Sequence, residues 1–518
     1  MRYFFIFILL FFNTALQVVG SGGNVFGQNH FSDLPQFVAG GPIRIDFMPY
    51  LPMKPVEKKK IGFNVIWQYA NSTKDNKLSQ FFIPEGNLLL TVTGGPDYFI
   101  PGPLPASQEQ PNNKVVRNID ALVLGITDPD FSSIIELTAR SVIKYAGFFG
   151  YYVFLFNKNN TPKLSFEIAL PIVNCFRKTM GQETIYKKGD AYADSPVKTA
   201  LDGLSRDLLK YQRWNFSANG MSETRAPNIE FDLSYNYLPT ENCSVETYLG
   251  CLVPLNKGCD KKNKYHQFVF APEFANSQHV GLQYGATISL FLYENDERSI
   301  KFLLGSNFLY FFPKNHFRSF DLQGRSWSKY LTAYQNFQLK NQQMEPLVNF
   351  LSFECRVSPN FSTIATTEFH YIRDSFDIGI GYCLFARQSE SVTILEDLPN
   401  IVLKGTDINT NITEVPPVSI ARGIALRLQR EDLQTQELDT DTNKLRFNAN
   451  YFYAKIDNTI VDVASATHPA VFSGELYLKA STKVFNLADI LLGASYRFSH
   501  NNTAIEYATF WVGLQMAF

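Results

Sequence analysis

Apolar and polar residues alternate with a period of two along much of the chain. At the C-terminal end Phe510, Val512, Leu514, Met516 and Phe518 are apolar, and the intervening residues are Trp511, Gly513, Gln515 and Ala517. Successive side chains of a β-strand point to opposite faces, so this pattern predicts a strand with one apolar face. The sequence therefore predicts an all-β protein.

The same alternation recurs before and after a turn signal at 294–297. Residues 280–292 carry apolar side chains at every second position, and the alternation resumes over 300–310. Two alternating segments joined by a short polar stretch are typical of a β-hairpin. The segments are about as long as the roughly 9–11 residues that a tilted strand needs to cross a membrane.

Carboxylates occupy the non-apolar face of several predicted strands. Asp377 alternates with the apolar residues of 376–384, and Glu230 and Asp232 alternate with those of 229–237. One charged face and one unbroken apolar face indicate a polar interior and a lipid-facing exterior. A half-buried strand of a soluble sandwich gives the same alternation, usually in shorter strands.

Strand direction can be checked along the chain, because short turns and long loops of an up-and-down barrel fall on opposite rims. The predicted turns near 294–298, 373 and 485–488 fall on one rim, with both termini. We therefore predict a transmembrane up-and-down antiparallel β-barrel with about 12 strands, within a range of about 12–16. The predicted barrel covers 60–518, and the long extracellular loops are 71–138, 174–227, 312–361 and 389–470. Two further segments, 117–137 and 413–457, are candidates for an additional pair of barrel strands.

Composition agrees with an exported barrel. The 518 residues are 15% aromatic and only 18% charged, with a net charge of −1, which argues against a nucleic-acid binder, a disordered chain and a coiled coil. Residues 1–20 have the short cationic start and apolar run of a cleaved signal peptide, followed by a predicted periplasmic segment over 21–59. Beyond residue 20 no apolar run is long enough for a transmembrane helix.

The C-terminal strand carries a candidate assembly signal. Its residues are Phe510, Val512, Leu514, Met516 and the terminal Phe518. This pattern resembles the β-signal of bacterial outer-membrane β-barrel, porin-like proteins, although Met516 stands where an aromatic residue is usual. The resemblance implies an outer-membrane location, and outer-membrane lipids and the barrel-assembly machinery as partners.

The inward register of the predicted strands nominates residues that face the lumen. The candidates are Lys301, Asn307, Asp377, Arg387, Glu475, Tyr477, Lys479, Arg497, Trp511 and Gln515, with Glu167, Glu230 and Asp232 on earlier strands. Because both signs of charge occur, we expect these side chains to pair with one another and stabilise the barrel wall, in preference to forming a ring that selects ions of one sign.

One loop has a helical pattern. Within the loop 174–227, one helical face carries mainly Ala200, Leu201, Leu204, Leu208, Tyr211 and Trp214. Such a helix could plug the barrel mouth, lie on the membrane surface or pack on the rim.

Catalytic and metal motifs are weak. Asp462, Ser465 and His468 have the residue types of a hydrolase triad, but a loop gives them no fixed geometry. We therefore expect no enzyme activity, no cofactor and no metal site. The six cysteines are too few for a disulfide scaffold; pairing within 243–259 and free thiols remain alternatives.

Three functions fit the sequence. A porin-like channel for small solutes is favoured, and a surface adhesin or structural barrel that binds a host surface is the first alternative. A soluble secreted all-β glycoprotein is the second alternative. It is suggested by glycosylation sequons at Asn71, Asn159, Asn215, Asn242, Asn360, Asn411 and Asn501. The sequence leaves the solute and the oligomeric state open.

Overall fold

The structure is a computed structural model, and it describes residue 28 and most of 61–518. The gaps after residue 61 are 84–88, 95–118, 125, 127, 129, 157–161, 180, 189–193, 203–215, 217–218, 241, 256–268, 273–278, 296, 324–325, 336–344, 397–400, 408–435, 440–443, 448–450, 457–460 and 486–487. The predicted signal peptide and, apart from residue 28, the predicted periplasmic segment lie outside the described residues.

Twelve antiparallel strands form a closed barrel. They are β1 (Ile61–Ser72), β2 (Arg140–Phe156), β3 (Pro162–Lys178), β4 (Asn228–Thr240), β5 (Cys243–Pro254), β6 (Gly281–Glu294), β7 (Arg298–Phe311), β8 (Phe361–Arg373), β9 (Phe376–Arg387), β10 (Val471–Phe485), β11 (Ala488–Ser499) and β12 (Tyr507–Ala517). Each strand pairs with the next in sequence, and β1 pairs with β12 from Gly62↔Ala517 to Ser72↔Tyr507. The predicted fold class and the predicted number of about 12 strands are confirmed.

The two rims of the barrel differ in the length of their connections. Short turns after β2, β4, β6, β8 and β10 lie on one rim, the turn rim, where β1 begins and β12 ends. The connections after β1, β3, β5, β7, β9 and β11 all lie on the opposite rim, the loop rim. Most of the chain outside the barrel strands therefore gathers at the loop rim.

The connections at the loop rim contain secondary structure of their own. In the described residues, the helices are α1 (Asp75–Phe82) and α2 (Pro196–Leu201), with 3-10 turns at Ala121–Leu124, Ser328–Tyr330, Leu347–Asn349 and Val463–Ala466. Met221–Arg225 extends the barrel sheet beside β3. Within the described ranges, no helix is long and apolar enough to cross a membrane.

The described part of the connections forms four small sheets outside the barrel. They comprise Lys314–Ser319, Ser352–Ser358 and Ser391–Ile394; Asp321–Leu322 and Val461–Asp462; Glu345–Pro346, Thr332–Gln335, Ile401–Asp407, Tyr451–Ile456, Lys444–Phe447 and Gln436–Asp439; and Ile119–Asp120, Leu89–Thr93, Ser132–Glu136 and Glu183–Lys187. The alternating residues of 445–453 thus belong to a separate sheet. The suggestion of an additional pair of barrel strands there, or at 117–137, is wrong, because these segments pair with other connections and not with the barrel.

The barrel exterior is apolar. Large hydrophobic side chains that are more than a third exposed include Phe63, Trp67, Phe148, Leu249, Leu282, Ile380, Leu478, Leu492, Phe510 and Val512, from strands around the whole circumference. A soluble monomer rarely exposes a continuous apolar surface of this kind, whereas lipid covers it in a membrane. The exterior is that of a membrane-spanning barrel.

Inward glycines face inward aromatic rings on neighbouring strands. A Cβ added at Gly285, Gly381 or Gly493 would lie 2.1, 2.3 or 2.2 Å from a ring atom of Tyr248, Tyr477 or Trp511, respectively. Glycine therefore leaves the space in which each ring lies across the adjacent strand. These rings fill part of an interior that twelve strands make wider than that of the smallest barrels.

Candidate functional site: the barrel interior and its cap

A wall of ionisable side chains lines the interior across β7 to β11. Its members are Lys301 on β7, Glu368 and His370 on β8, Asp377 on β9, Glu475, Tyr477 and Lys479 on β10, and Arg497 on β11. The two-residue alternation places these positions inward, while Phe369, Ile378 and Leu478 of the same strands are exposed outside. The wall is continuous because the strands that carry it are adjacent.

Glu368 is the centre of this wall and is completely buried. Its Oε2 accepts from Lys479 Nζ at 2.6 Å and lies 2.7 Å from His370 Nε2. Its Oε1 accepts from the Tyr477 hydroxyl at 2.6 Å. The other ring nitrogen of His370, Nδ1, lies 2.9 Å from Asp377 Oδ1. Two carboxylates, an imidazole, a phenol and an ammonium group thus form one hydrogen-bonded network.

A second charged pair extends the wall toward the loop rim. Arg497 donates from Nη2 and Nε to Glu475 Oε2 at 2.7 and 3.1 Å, and Ser495 donates to Glu475 Oε1 at 2.6 Å. Elsewhere in the interior, Gln283 Nε2 donates to Asp232 Oδ1 at 2.6 Å. These contacts satisfy buried charges with groups of opposite sign or with donors, as low-dielectric surroundings require.

The predicted lumen residues are placed as follows. Lys301, Asn307, Asp377, Arg387, Glu475, Tyr477, Lys479 and Trp511, with Glu230 and Asp232, are buried; Arg497, Gln515 and Glu167 are partly exposed. Arg387 lies apart from the wall, at the loop rim beside His468. Glu368 and His370 were missed by the sequence analysis, although they alternate with the exposed Phe369 and Tyr371.

A short segment of the first long connection, residues 75–83, lies over the barrel mouth, and we call it the cap segment. It consists of α1 and Ile83, and Phe81, Phe82 and Ile83 are buried. Ser72 donates to Asp75 Oδ1 at 2.5 Å, which joins the start of α1 to the end of β1. Ser79 Oγ accepts from Ala139 N at 2.7 Å and ties the helix to the start of β2.

The cap segment contacts connections that begin at strands all around the rim. Phe81 stacks on His468 with 5.5 Å between ring centroids, and Phe82 contacts Phe270 at 5.3 Å. The indole of Trp327 donates to the carbonyl of Phe82 at 2.6 Å. These partners lie in the connections after β9, β5 and β7, respectively, so the cap segment packs together with connections that leave the rim at separate places.

Ion pairs also attach α1 to the connection that precedes β12. Lys77 Nζ lies 2.7 Å from Glu506 Oε1, and Lys74 Nζ lies 2.8 Å from Glu506 Oε2. Burial alone would raise the pKa of Glu506, but the hydrogen bonds from Lys74 and Lys77 outweigh it and hold that pKa below its usual range. Glu506 is therefore ionised at neutral pH and anchors the cap segment beside β12.

The triad-like residues do not form a triad. Asp462 Oδ1 accepts from the backbone nitrogens of Ala464 and Ser465 at 3.0 and 3.3 Å, as the cap of a 3-10 turn. Ser465 Oγ donates to the Asp462 carbonyl at 2.6 Å and accepts from Asp321 N at 2.9 Å. Burial, and then the adjacent Arg387, lowers the pKa of His468 well below its ordinary value. The three side chains take part in folding the connection after β9.

The C-terminal residues close the barrel. Phe518 N donates to Ile61 O at 2.8 Å, and Ile61 N donates to Phe518 O at 3.3 Å. Phe510, Val512 and Phe518 are exposed, and Leu514 and Met516 are partly exposed. The candidate assembly residues therefore share the outer face of the strand that completes the sheet.

The five cysteines in the described part of the chain, Cys175, Cys243, Cys251, Cys355 and Cys383, are free thiols, and Cys259 lies outside it. Burial is the main cause that raises the pKa of Cys355 to about 12, with Arg318 opposing it.

Solved structures with a similar fold are bacterial outer-membrane β-barrels. An outer membrane channel from Pseudomonas putida F1 has a TM-score of 0.35 at 7% identity, covering 90% of this chain and 99% of that one. A FadL homologue from Pseudomonas aeruginosa has a TM-score of 0.27 at 9% identity, covering 88% and 90%. The translocator domain of the autotransporter NalP from Neisseria meningitidis has a TM-score of 0.26 at 6% identity, covering 89% and 90%.

At these TM-scores the likeness is too distant to carry an argument about activity. The sequence matches no protein-family model and no curated protein. The class that the geometry itself defines is a closed 12-strand membrane barrel with a covered mouth and a charged interior wall.

Proposed function

We propose that the chain is an outer-membrane channel for small polar solutes that is closed at rest and opens when the cap segment moves. The supporting observation is the position of residues 75–83 over the mouth, above an interior lined by ionisable groups. The turn rim then faces the periplasm and the loop rim faces the outside, as short turns and long loops do in bacterial barrels.

The charged wall favours passage of solutes over a purely structural interior. Buried ion pairs are poor stabilisers, because apolar packing of similar volume is often equally stable or better. A wall with Glu368, His370, Asp377 and Lys479 offers donors and acceptors to water and polar solutes once the interior becomes hydrated. The complete burial of Glu368 argues at the same time against an interior that is open to bulk water at that level.

Conductance of the purified full chain in planar bilayers tests this proposal. We expect the wild type to show low, intermittent conductance and Phe81→Ala to increase the open time, because Phe81 joins the cap segment to His468. Phe63→Ala, which removes an exposed ring from the outer face of β1, is the matched control and should behave as the wild type. A steady ohmic wild-type conductance that Phe81→Ala leaves unchanged would mean an open porin.

A second candidate is a sealed barrel that displays a surface domain. A separate hydrophobic core, with Phe320, Leu331, Leu347, Phe353 and Val461 among its buried members, lies in the connections after β7 and β9. Such a core gives the loops a fixed shape suited to binding a host surface. This candidate predicts that bilayers stay sealed with both the wild type and Phe81→Ala.

We also propose insertion by the barrel-assembly machinery through β12. Outward apolar residues at every second position of the last strand support this proposal. Deleting Phe518 should reduce the membrane-assembled fraction in expressing cells far more than deleting exposed Asp194 of a long connection. Equal assembly of the two deletions would argue against a terminal signal.

A further inference from the structure

Three arginines are almost completely buried at the loop rim. Arg177 at the end of β3, Arg318 in the strand Lys314–Ser319 and Arg387 at the end of β9 are 1%, 2% and 1% exposed. Arg387 lies against His468, and Glu390 contacts both Arg318 and the backbone nitrogen of His468. After burial, Arg387, Arg318 and Arg177 also contribute to lowering the pKa of the His468 imidazole. Three guanidinium groups from distant parts of the chain thus share one buried region under the cap segment.

Two of the arginines are held in place by the protein. Arg177 Nη1 donates to the carbonyl of Ala271 at 2.8 Å, and its guanidinium lies 4.4 Å from the ring centroid of Phe270. Arg387 Nη2 lies against His468 Nδ1. Since Phe270 and His468 also contact the cap segment, the guanidinium groups are positioned by the same packing that covers the mouth.

One carboxylate joins the cluster. Glu390 Oε2 accepts from His468 N at 3.1 Å and lies 3.4 Å from Arg318 Nη2, a long contact for an ion pair. With His468 neutral, the side chains of Arg177, Arg318, Arg387 and Glu390 together carry a formal charge of +2. Several guanidinium groups in one buried region favour a negatively charged ligand.

Arg318 has donors that no described residue uses. Its Nε and Nη1 are buried and have no hydrogen-bond acceptor in the described part of the chain. Buried guanidinium donors are normally satisfied, because leaving one without a partner costs its full desolvation energy. The planar fork of Nε and Nη groups matches two oxygens of a carboxylate or a tetrahedral oxyanion.

From this geometry we propose that the arginine cluster binds one small inorganic oxyanion of the phosphate type, with Arg318 as its main ligand. Arg177 and Arg387 supply positive charge, and Glu390 orients Arg318 through Nη2. The bound anion would hold the ends of β3 and β9 to the strand Lys314–Ser319 in the connection after β7, since these three segments supply the arginines. The site is independent of whether the barrel conducts.

Calorimetric titration of the purified full chain in detergent micelles with inorganic phosphate, at constant ionic strength set with chloride, tests the proposal. We expect one saturable site per chain, and a thermal unfolding midpoint that rises as phosphate replaces chloride, because a ligand that binds only the folded state stabilises it. Arg318→Gln should weaken phosphate binding at least tenfold. Arg318→Lys, which keeps the charge and loses the fork, should weaken it by a smaller factor.

Arg497→Gln is the matched control, since it removes a charge-paired arginine from the interior wall and not from the cluster. It should bind phosphate as the wild type does. The proposal is overturned if the wild type shows no saturable binding, or if Arg318→Gln and Arg318→Lys both bind as tightly as it. Equal weakening in Arg497→Gln would also overturn it. If Arg318→Gln does not fold, the comparison of Arg318→Lys with Arg497→Gln decides.

Discussion

Tyr477 donates a 2.6 Å hydrogen bond to Glu368 across an intervening strand. Tyr477 lies on β10 and Glu368 on β8, and both pair in register with Gly381 of β9. The phenol ring therefore lies over Gly381 and reaches the carboxylate two strands away. A single missing side chain makes this contact possible, because a Cβ at Gly381 would lie 2.3 Å from Tyr477 Cζ.

Gly381→Ala should displace the Tyr477 ring and break its bond to Glu368. We expect a loss of about 1–3 kcal/mol in the free energy of unfolding, the usual cost of forcing extra volume into a packed interior. Urea unfolding of the protein in micelles measures it. Gly150→Ala is the control, since the nearest atom would lie 3.4 Å from the new Cβ, and it should change stability by less than about 0.5 kcal/mol. Equal losses would mean that the ring does not occupy this space.

Arginine on the outer face should be costly only at the membrane centre. Leu478 and Val484 lie on the same face of β10 and are 56% and 42% exposed, but Val484 is next to the turn rim. We expect Leu478→Arg to lose about 2–4 kcal/mol and Val484→Arg about 0–1 kcal/mol, following the depth of each residue in lipid. Unfolding in lipid vesicles measures both. Similar costs at the two depths would contradict a bilayer around β10.

The strands could be predicted because alternation is local. The alternation over 376–384 predicts a strand there, and the structure has β9 at Phe376–Arg387. Consecutive strands of an antiparallel barrel run in opposite directions, so their connections must fall alternately on the turn rim and the loop rim. Neither inference needs knowledge of which distant residues meet.

The central contacts of the site could not be predicted, because they depend on the register between strands. Glu368 and Tyr477 are 109 residues apart, and a shift of one residue would point one of them outward. The cap segment has only eight helical residues, too few for a clear helical period. The sequence predicts a loop helix at 200–214 and not at the cap segment. The structure has α2 at Pro196–Leu201, and 203–215 lie outside the described residues.

Cysteine labelling should separate lipid from water. Cys251 is partly exposed on the outer face of β5, beside exposed Leu249. In a single-cysteine variant we expect an apolar, membrane-permeant maleimide to modify Cys251 and a sulfonated, impermeant maleimide to fail. Cys355 alone should resist both reagents at pH 8 until urea unfolds the protein, because burial raises its pKa to about 12.

Mass spectrometry measures both labelling reactions. Lys188→Cys, at an exposed position in a long connection, is the positive control for the impermeant reagent. Rapid modification of folded Cys251 by the impermeant reagent would place the outer face in water and favour the soluble sandwich.

The attachment of the cap segment should weaken in acid. The pKa of Glu506 is held below its usual range in the folded protein, so its stabilising effect is fully present above the unfolded value of about 4.3. This stability is lost as the pH falls through the lower, folded pKa, because protonation ends the ion pairs with Lys74 and Lys77. Glu506→Gln removes the charge at every pH and should lose about 1–2 kcal/mol at pH 7, since partly exposed lysines limit each pair.

Urea unfolding between pH 7 and pH 3 measures this dependence. The wild type should lose more stability over that interval than Glu506→Gln, and the two curves should approach each other at the acid end. Asp194→Asn is the control, because the pair of Asp194 with Lys188 is exposed and should contribute little. Parallel curves for the wild type and Glu506→Gln would show that Glu506 has the same pKa in the folded and unfolded states, and that the lysines do not hold the cap segment through its charge.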